Sequence, residues 1–270
     1  MSLRLVHAAP RQGAAWVARS FSLFLKRPFA FSSLFLAFLV GAMLLLALPY
    51  LGALLVLAAL PLLTLGYMLA TRAALADEPV HAGHLVAPLL PGADASRRRA
   101  MLVLCVAYAV VTAAVMLLAD QLDGGGFERL QVLLASARTE ANQRELDTLL
   151  ADPRLWHGTL LRFGGSALLA IPFWHAPALV WWHGQGLAQS LFSSTLACWR
   201  NKGAFVVYTL AWAATVALFG AVASAVFALL GMPALVGLAA VPAMLMFSTA
   251  FYVSLYFTFV DSFADDDPAA

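Results

Sequence analysis

Polar and apolar residues come in long blocks along this chain. Six blocks stay apolar for the length of a bilayer crossing: residues 29–48, 51–70, 100–119, 160–182, 203–230 and 234–260. A bilayer core takes about 20 apolar helical residues, so each block predicts one transmembrane helix. The apolar runs are continuous and do not alternate with a period of two, which argues against a β-barrel. Pro49-Tyr50-Leu51-Gly52 and Gly231-Met232-Pro233 predict tight turns between spans, and Pro61 predicts a kink in the second span.

Three polar segments between the blocks carry a helical period. From Gln12 to Lys26, Gln12, Arg19, Ser22 and Lys26 fall on one face, with Ala14, Val17, Phe21 and Phe24 on the other. Trp16 adds an aromatic suited to the headgroup boundary. A basic helix with an apolar aromatic face lies in the membrane interface and favours anionic lipid. Residues 81–90 predict a second short surface helix, followed by Arg97-Arg98-Arg99. Gln185 to Trp199 predicts a third, with Leu187, Leu191 and Cys198 on one side and Gln185, Gln189 and Ser193 on the other. Arg200-Asn201-Lys202 then lead into the fifth span. A surface helix, a basic stop and a hairpin of spans thus recur three times, the middle unit split by an insertion.

That insertion, residues 120–159, is expected to be helical and periplasmic. Gly124-Gly125-Gly126 breaks the chain, one polar helix from Phe127 to Leu150 follows, and Asp152-Pro153 stops it. The acidic tail, 261–270, is expected to be disordered. Residues 1–28 lack the short charged region and short core of a secretory signal and are expected to stay uncleaved.

Composition agrees with this reading: 63% of the 270 residues are hydrophobic and 11% charged. A water-soluble domain carries about 25% charged residues. The chain is therefore read as an all-α polytopic membrane protein. A net charge of +2 is too small to argue for nucleic acid. With both termini in the cytoplasm, eleven of the sixteen Lys and Arg residues lie on the cytoplasmic side, as positive charge prefers. The location expected is a bacterial inner membrane, crossed several times.

Little in the sequence points to chemistry. With Arg162 counted in the polar stretch 120–162, no Asp, Glu, Lys or Arg falls inside a span. That speaks against an ion-coupled relay, which needs charge at depth. There is no P-loop, no H-E-x-x-H and no Cys-x-x-Cys. Cys105 and Cys198 read as small buried hydrophobes. His81 and His84, three residues apart, would need further ligands to hold a metal. No catalytic residue, metal or cofactor is expected. Ala213, Ala217, Ala221 and Ala225 place small residues at four-residue spacing in the fifth span. Such a stripe allows close helix packing, within the chain or between two copies.

One stretch supports a resemblance. Ile171-Pro172-Phe173-Trp174-His175-Ala176-Pro177, Trp182-His183-Gly184, Ala197-Cys198-Trp199-Arg200-Asn201 and the Ala204, Phe205 and Tyr208 that follow resemble an uncharacterised family of proteobacterial six-span integral membrane proteins. Trp16 and the Phe21 to Pro28 junction add to it. The resemblance implies an inner-membrane protein and brings no activity. The layout is also similar to membrane domains found beside some glycerophosphodiester phosphodiesterases, which contributes no catalytic residue.

The expectation is a non-enzymatic protein that organises or binds lipids or a partner protein, in the membrane or the cytoplasm. Arg19, Lys26, Arg27, Arg97, Arg98, Arg99, Arg200 and Lys202 are the candidate contacts to anionic headgroups or to that partner. The alternative is a transporter or permease component for a lipid-like or amphipathic substrate. It would use a cleft at Trp174, His175, Pro177 and His183.

Overall fold

A computed structural model describes residues 3–90, 92, 94–136, 139–232 and 235–265. Its elements are helical apart from two short strands, β1 (Leu3–Leu5) and β2 (Phe263–Asp265). Six crossings are long and apolar enough to span a membrane. They are α2 (Pro28–Leu46), α3 (Gly52–Leu75), α5 (Ala95–Asp123), α8 with α9 (Pro153–Phe173 and Ala176–His183), α11 (Lys202–Leu229) and α12 (Val236–Val260). The surface helices are α1 (Gln12–Lys26), α4 (Gly83–Val86) and α10 (Leu187–Arg200), and the insertion holds α6 (Gly126–Ala135) and α7 (Glu140–Leu150).

Several local signals explain where these helices start and stop. Pro28 and Pro153 sit in the first turn of their helices, where a missing N–H costs nothing. Asp94, Thr139 and Asp152 cap α5, α7 and α8 by accepting the backbone N–H groups of Arg97, Asn142 and Arg154. Tyr50 turns the first hairpin with a left-handed φ of 63°.

Four expectations change. The second surface helix shrinks to α4 and a 3₁₀ turn (Ala87–Leu89), because Pro88 cannot continue an α-helical ladder. The fourth crossing breaks at Trp174 and His175, flanked by Pro172 and Pro177, and starts seven residues earlier than the apolar block. The insertion holds two helices, not one. The tail is ordered as far as Asp265: Leu3 pairs with Asp265 and Leu5 with Phe263 in an antiparallel ladder. Residues 266–270 lie outside the described residues.

Even spans place α1, α4, α10 and both strands at one end of the bundle, with α6 and α7 at the far end. The tight packing lies toward the termini-bearing end. In α11 only Ala204 and Tyr208 are buried, and in α2 only Phe31 and Leu34. The far halves of these helices turn their side chains outward, and Ala213, Ala217, Ala221 and Ala225 are exposed.

The surface helices do not rest on their own hairpins. α1 packs on α11 and α12, α4 on α3, and α10 on α8 and α9. Each lies against the hairpin that precedes it, and α1 closes the ring onto the last. For α1 and α10 the joints explain this. One residue, Arg27, separates α1 from α2, and one, Asn201, separates α10 from α11. A helix so joined cannot fold back along its own successor. The closest contact is at Gly13, where a Cβ would come 2.1 Å from the Ala204 carbonyl oxygen. Only glycine allows α1 to sit so near α11.

Candidate functional site

The termini-bearing end is the candidate site, and α10 is its most informative part. Its inward face is small and polar: Ser190, Ser194, Ala197, Cys198 and the joint residue Asn201 are all buried. These polar groups have work at the α8–α9 break. The Ser194 hydroxyl accepts the His175 backbone N–H at 3.0 Å and donates to the Ile171 carbonyl at 2.9 Å. Asn201 accepts the Ala8 N–H at 2.8 Å and donates to the Val6 carbonyl and the Ser262 hydroxyl, each at 3.2 Å. It thus holds both ends of the chain to one side chain.

The outward face of α10 is apolar. Phe192, Leu196 and Trp199 follow one another at i, i+4 and i+7, and Phe192 and Trp199 are 68% and 69% exposed. The Lys202 ammonium sits 4.8 Å over the Trp199 ring, and Arg200 is exposed beside it. This is the reverse of a helix on a water-soluble protein.

α1 is oriented the other way. Trp16 is fully buried, with Val17, Leu23 and Phe24, so it does not sit at a headgroup boundary. Its indole N–H donates to Asp261 at 2.8 Å, and the Gln12 amide donates to the same oxygen at 3.1 Å. Arg19 forms an ion pair with Asp261 and lies 4.7 Å over the Phe257 ring. A carboxylate at the end of the last span therefore gathers the polar edge of the first helix.

The eight candidate basic residues divide by what they touch. Arg19 is engaged with Asp261. Arg27 reaches Asp77 at 2.9 Å and the Glu78 carbonyl at 2.6 Å. Arg97 donates to the Trp181 carbonyl at 3.1 Å. Lys26, Arg98, Arg99, Arg200 and Lys202 make no ion pair among the described residues, and all but the half-buried Arg98 are exposed.

The candidate cleft divides as well. A cavity of about 160 Å³ lies where α3, α5, α8 and α12 meet, with Trp174 in its wall. His175, Pro177 and His183 are not in that wall. His175 is fully buried among Phe205, Phe259 and Phe263, and neither ring nitrogen has a hydrogen-bond partner among the described residues. Pro177 is buried, and the His183 ring lies 6.1 Å from Phe259, tilted by 32°. On the α3–α4 side, the His81 and His84 rings stack at 4.3 Å. Burial holds the His84 pKa below its ordinary value, against an opposing hydrogen bond to the Pro79 carbonyl. Burial pushes the Cys198 thiol up to about 12, which leaves it an unreactive packing group. Among the described residues no three His, Cys, Asp or Glu side chains are grouped to hold a metal ion.

One buried charge site escaped the sequence reading. Arg162 lies inside α8, not in the polar stretch. It pairs with Asp120 and, at 3.1 Å, with Asp123, and stands 4.2 Å over the Phe127 ring. The Asp123 side chain is wholly buried. It packs against Gly158, where a Cβ would come 2.6 Å from Asp123 Cβ. Acids three residues apart at the end of one apolar block, facing an arginine two residues into the next, were the available signal. The cluster ties the insertion to the far end of α5 and α8. Asp261 was missed for a similar reason: it begins a run of acids that reads as a solvated tail.

No family model matches this chain, and no solved structure matches it. A protein of Burkholderia thailandensis named "Probable inner membrane protein" is 30% identical over 268 residues, covering 99% of this chain and 97% of that one. The likeness thus runs through all six spans, the three surface helices and the insertion, and this chain belongs to the family of that inner membrane protein.

Proposed function

We propose that the protein is a non-enzymatic organiser of the inner membrane that holds anionic lipid at its termini-bearing, cytoplasmic end. The observation that carries this is the inverted face of α10. Phe192, Leu196 and Trp199 point away from the protein, with Lys202 and Arg200 beside them. Seated at the headgroup boundary, Phe192 and Trp199 each gain about 1.5–3 kcal/mol of apolar burial. Each basic residue near an anionic surface adds about 1 kcal/mol. Lys26, Arg98 and Arg99 are further basic residues near the ends of spans on that side, and they make no ion pair among the described residues.

Native mass spectrometry of the protein released from nanodiscs of mixed phosphatidylglycerol and phosphatidylethanolamine tests this. The expected result is retained phosphatidylglycerol, reduced in the variant carrying Arg200→Gln and Lys202→Gln. Equal retention of both lipids, or no change in the variant, overturns it. A stably retained partner protein with no lipid preference would replace it with the partner-binding reading.

The cavity beside Trp174 supports a second reading, a transport component for a lipid-like or amphipathic substrate. That reading needs a path across the membrane, and flux of a labelled lipid through reconstituted vesicles measures it directly.

A further inference from the structure

The cavity at the junction of α3, α5, α8 and α12 has a chemistry that selects its occupant. Its wall combines Phe173, Trp174 and Phe251 with the hydroxyl-bearing Thr64, Tyr108 and Tyr252. The rings brace one another: Tyr108 stands edge-on to Phe173 at 5.0 Å, and Trp174 edge-on to Phe251 at 5.9 Å. Among the described residues no charged side chain lines it. An ion would lie there without a counter-charge, at high cost. An aromatic wall favours a flat partner. An apolar cavity of about 150 Å³ is known to hold a benzene ring, so about 160 Å³ admits one six-membered ring. The Thr112 hydroxyl approaches the Tyr108 oxygen, which keeps its O–H to donate; a bare hydrocarbon would leave that donor and the Tyr252 and Thr64 hydroxyls unused, whereas a ring with carbonyl acceptors would meet them.

The wall is not sealed: Leu60, Thr64, Tyr108, Ala170, Trp174 and Tyr252 are all half-buried. Pro61, also in the wall, lies inside α3 and supplies no backbone N–H at this level. A head with an apolar tail can thus seat its ring between the helices and leave the tail in lipid.

We infer that this cavity is a binding site for the head of a benzoquinone-type membrane lipid: neutral, planar, bearing hydrogen-bond acceptors and carrying an isoprenoid tail. Tyr108 and Tyr252 are its donors, and Trp174 and Phe173 its stacking walls. This does not rest on the lipid contacts of α10. Loss of phosphatidylglycerol retention and loss of quinone binding are separate outcomes.

The test is titration of the detergent-purified full chain with a one-isoprene ubiquinone, read by tryptophan fluorescence. Chromatography of the solvent extract of protein prepared from native membrane complements it. Saturable quenching and about one ubiquinone per chain are expected. Ala170→Phe, which fills the cavity, should weaken binding at least tenfold. Paired Tyr108→Phe and Tyr252→Phe changes should weaken it about three- to tenfold for each hydrogen bond lost, with unchanged thermal unfolding. If Ala170→Phe fails to fold, the phenylalanine pair decides, since it leaves the wall's shape intact. Linear quenching without saturation, binding unchanged in the phenylalanine pair, or a fatty acid recovered in place of a quinone overturns the inference.

Discussion

α1 and α10 have nearly the same script and opposite orientations. Each is an amphipathic helix with a tryptophan, ended by basic residues and joined to a span through one residue. α1 turns its aromatic face inward, with Trp16 0% exposed, while α10 turns its own outward, with Trp199 69% exposed. The difference lies in what each polar face can reach. Gln12 and Arg19 of α1, with the indole N–H of Trp16, meet one carboxylate, Asp261. The inner face of α10 meets backbone groups freed at the α8–α9 break, which ask for hydroxyls and not for apolar bulk. Amphipathicity therefore fixes that a helix has two faces. The polar partners in the fold fix which face goes in.

The comparison can be broken at three points. The largest effect is expected for Trp16→Ala, which empties a fully buried aromatic site. It should cost about 3–5 kcal/mol, seen as a lowered denaturation midpoint in detergent. Asp261→Ala comes next, with about 2 kcal/mol lost, a buried-pair penalty discounted because Arg19 is partly exposed. Asp261→Asn should recover part of it, since an amide oxygen still accepts from Trp16. The smallest effect on folding is expected for Trp199→Ala, within about 0.5 kcal/mol of the parent. Its consequence should appear in lipid retention. A midpoint that falls as far for Trp199→Ala as for Trp16→Ala would show that both helices pack alike.

Much of the architecture was legible. Six continuous apolar blocks, each bounded by charge or a turn, lead to six crossings because length and hydropathy alone decide whether a helix spans. The three surface helices were legible as periodic stretches joined to basic stops. Their placement was not, because periodicity holds no information about which neighbour a face will meet. The pattern tied each surface helix in sequence to the hairpin after it, while the one-residue joints at Arg27 and Asn201 send α1 and α10 onto other spans. Trp16 looked interfacial because tryptophan suits both a buried site and a wet boundary. Arg162 looked like loop because its partners, Asp120 and Asp123, lie some forty residues away. The cavity around Tyr108 and Tyr252 draws on four helices and leaves no local trace in any of them.

The ring closes through the two ends of the chain: Leu3–Leu5 pairs with Phe263–Asp265, and α1 rests on α11 and α12. On the ribosome this reverses the usual order of assembly. α1 is made before every span it rests on, and α12 follows it by more than two hundred residues. At about 5–20 residues per second, that is a wait of roughly ten to fifty seconds. During that time Trp16 lacks Phe205, Tyr208 and Asp261, its ring and hydrogen-bond partners, and the membrane surface is the shelter at hand. The nascent α1 would then lie on the membrane as we propose for α10, a lipid-seeking segment first and only afterwards the keystone of the finished protein.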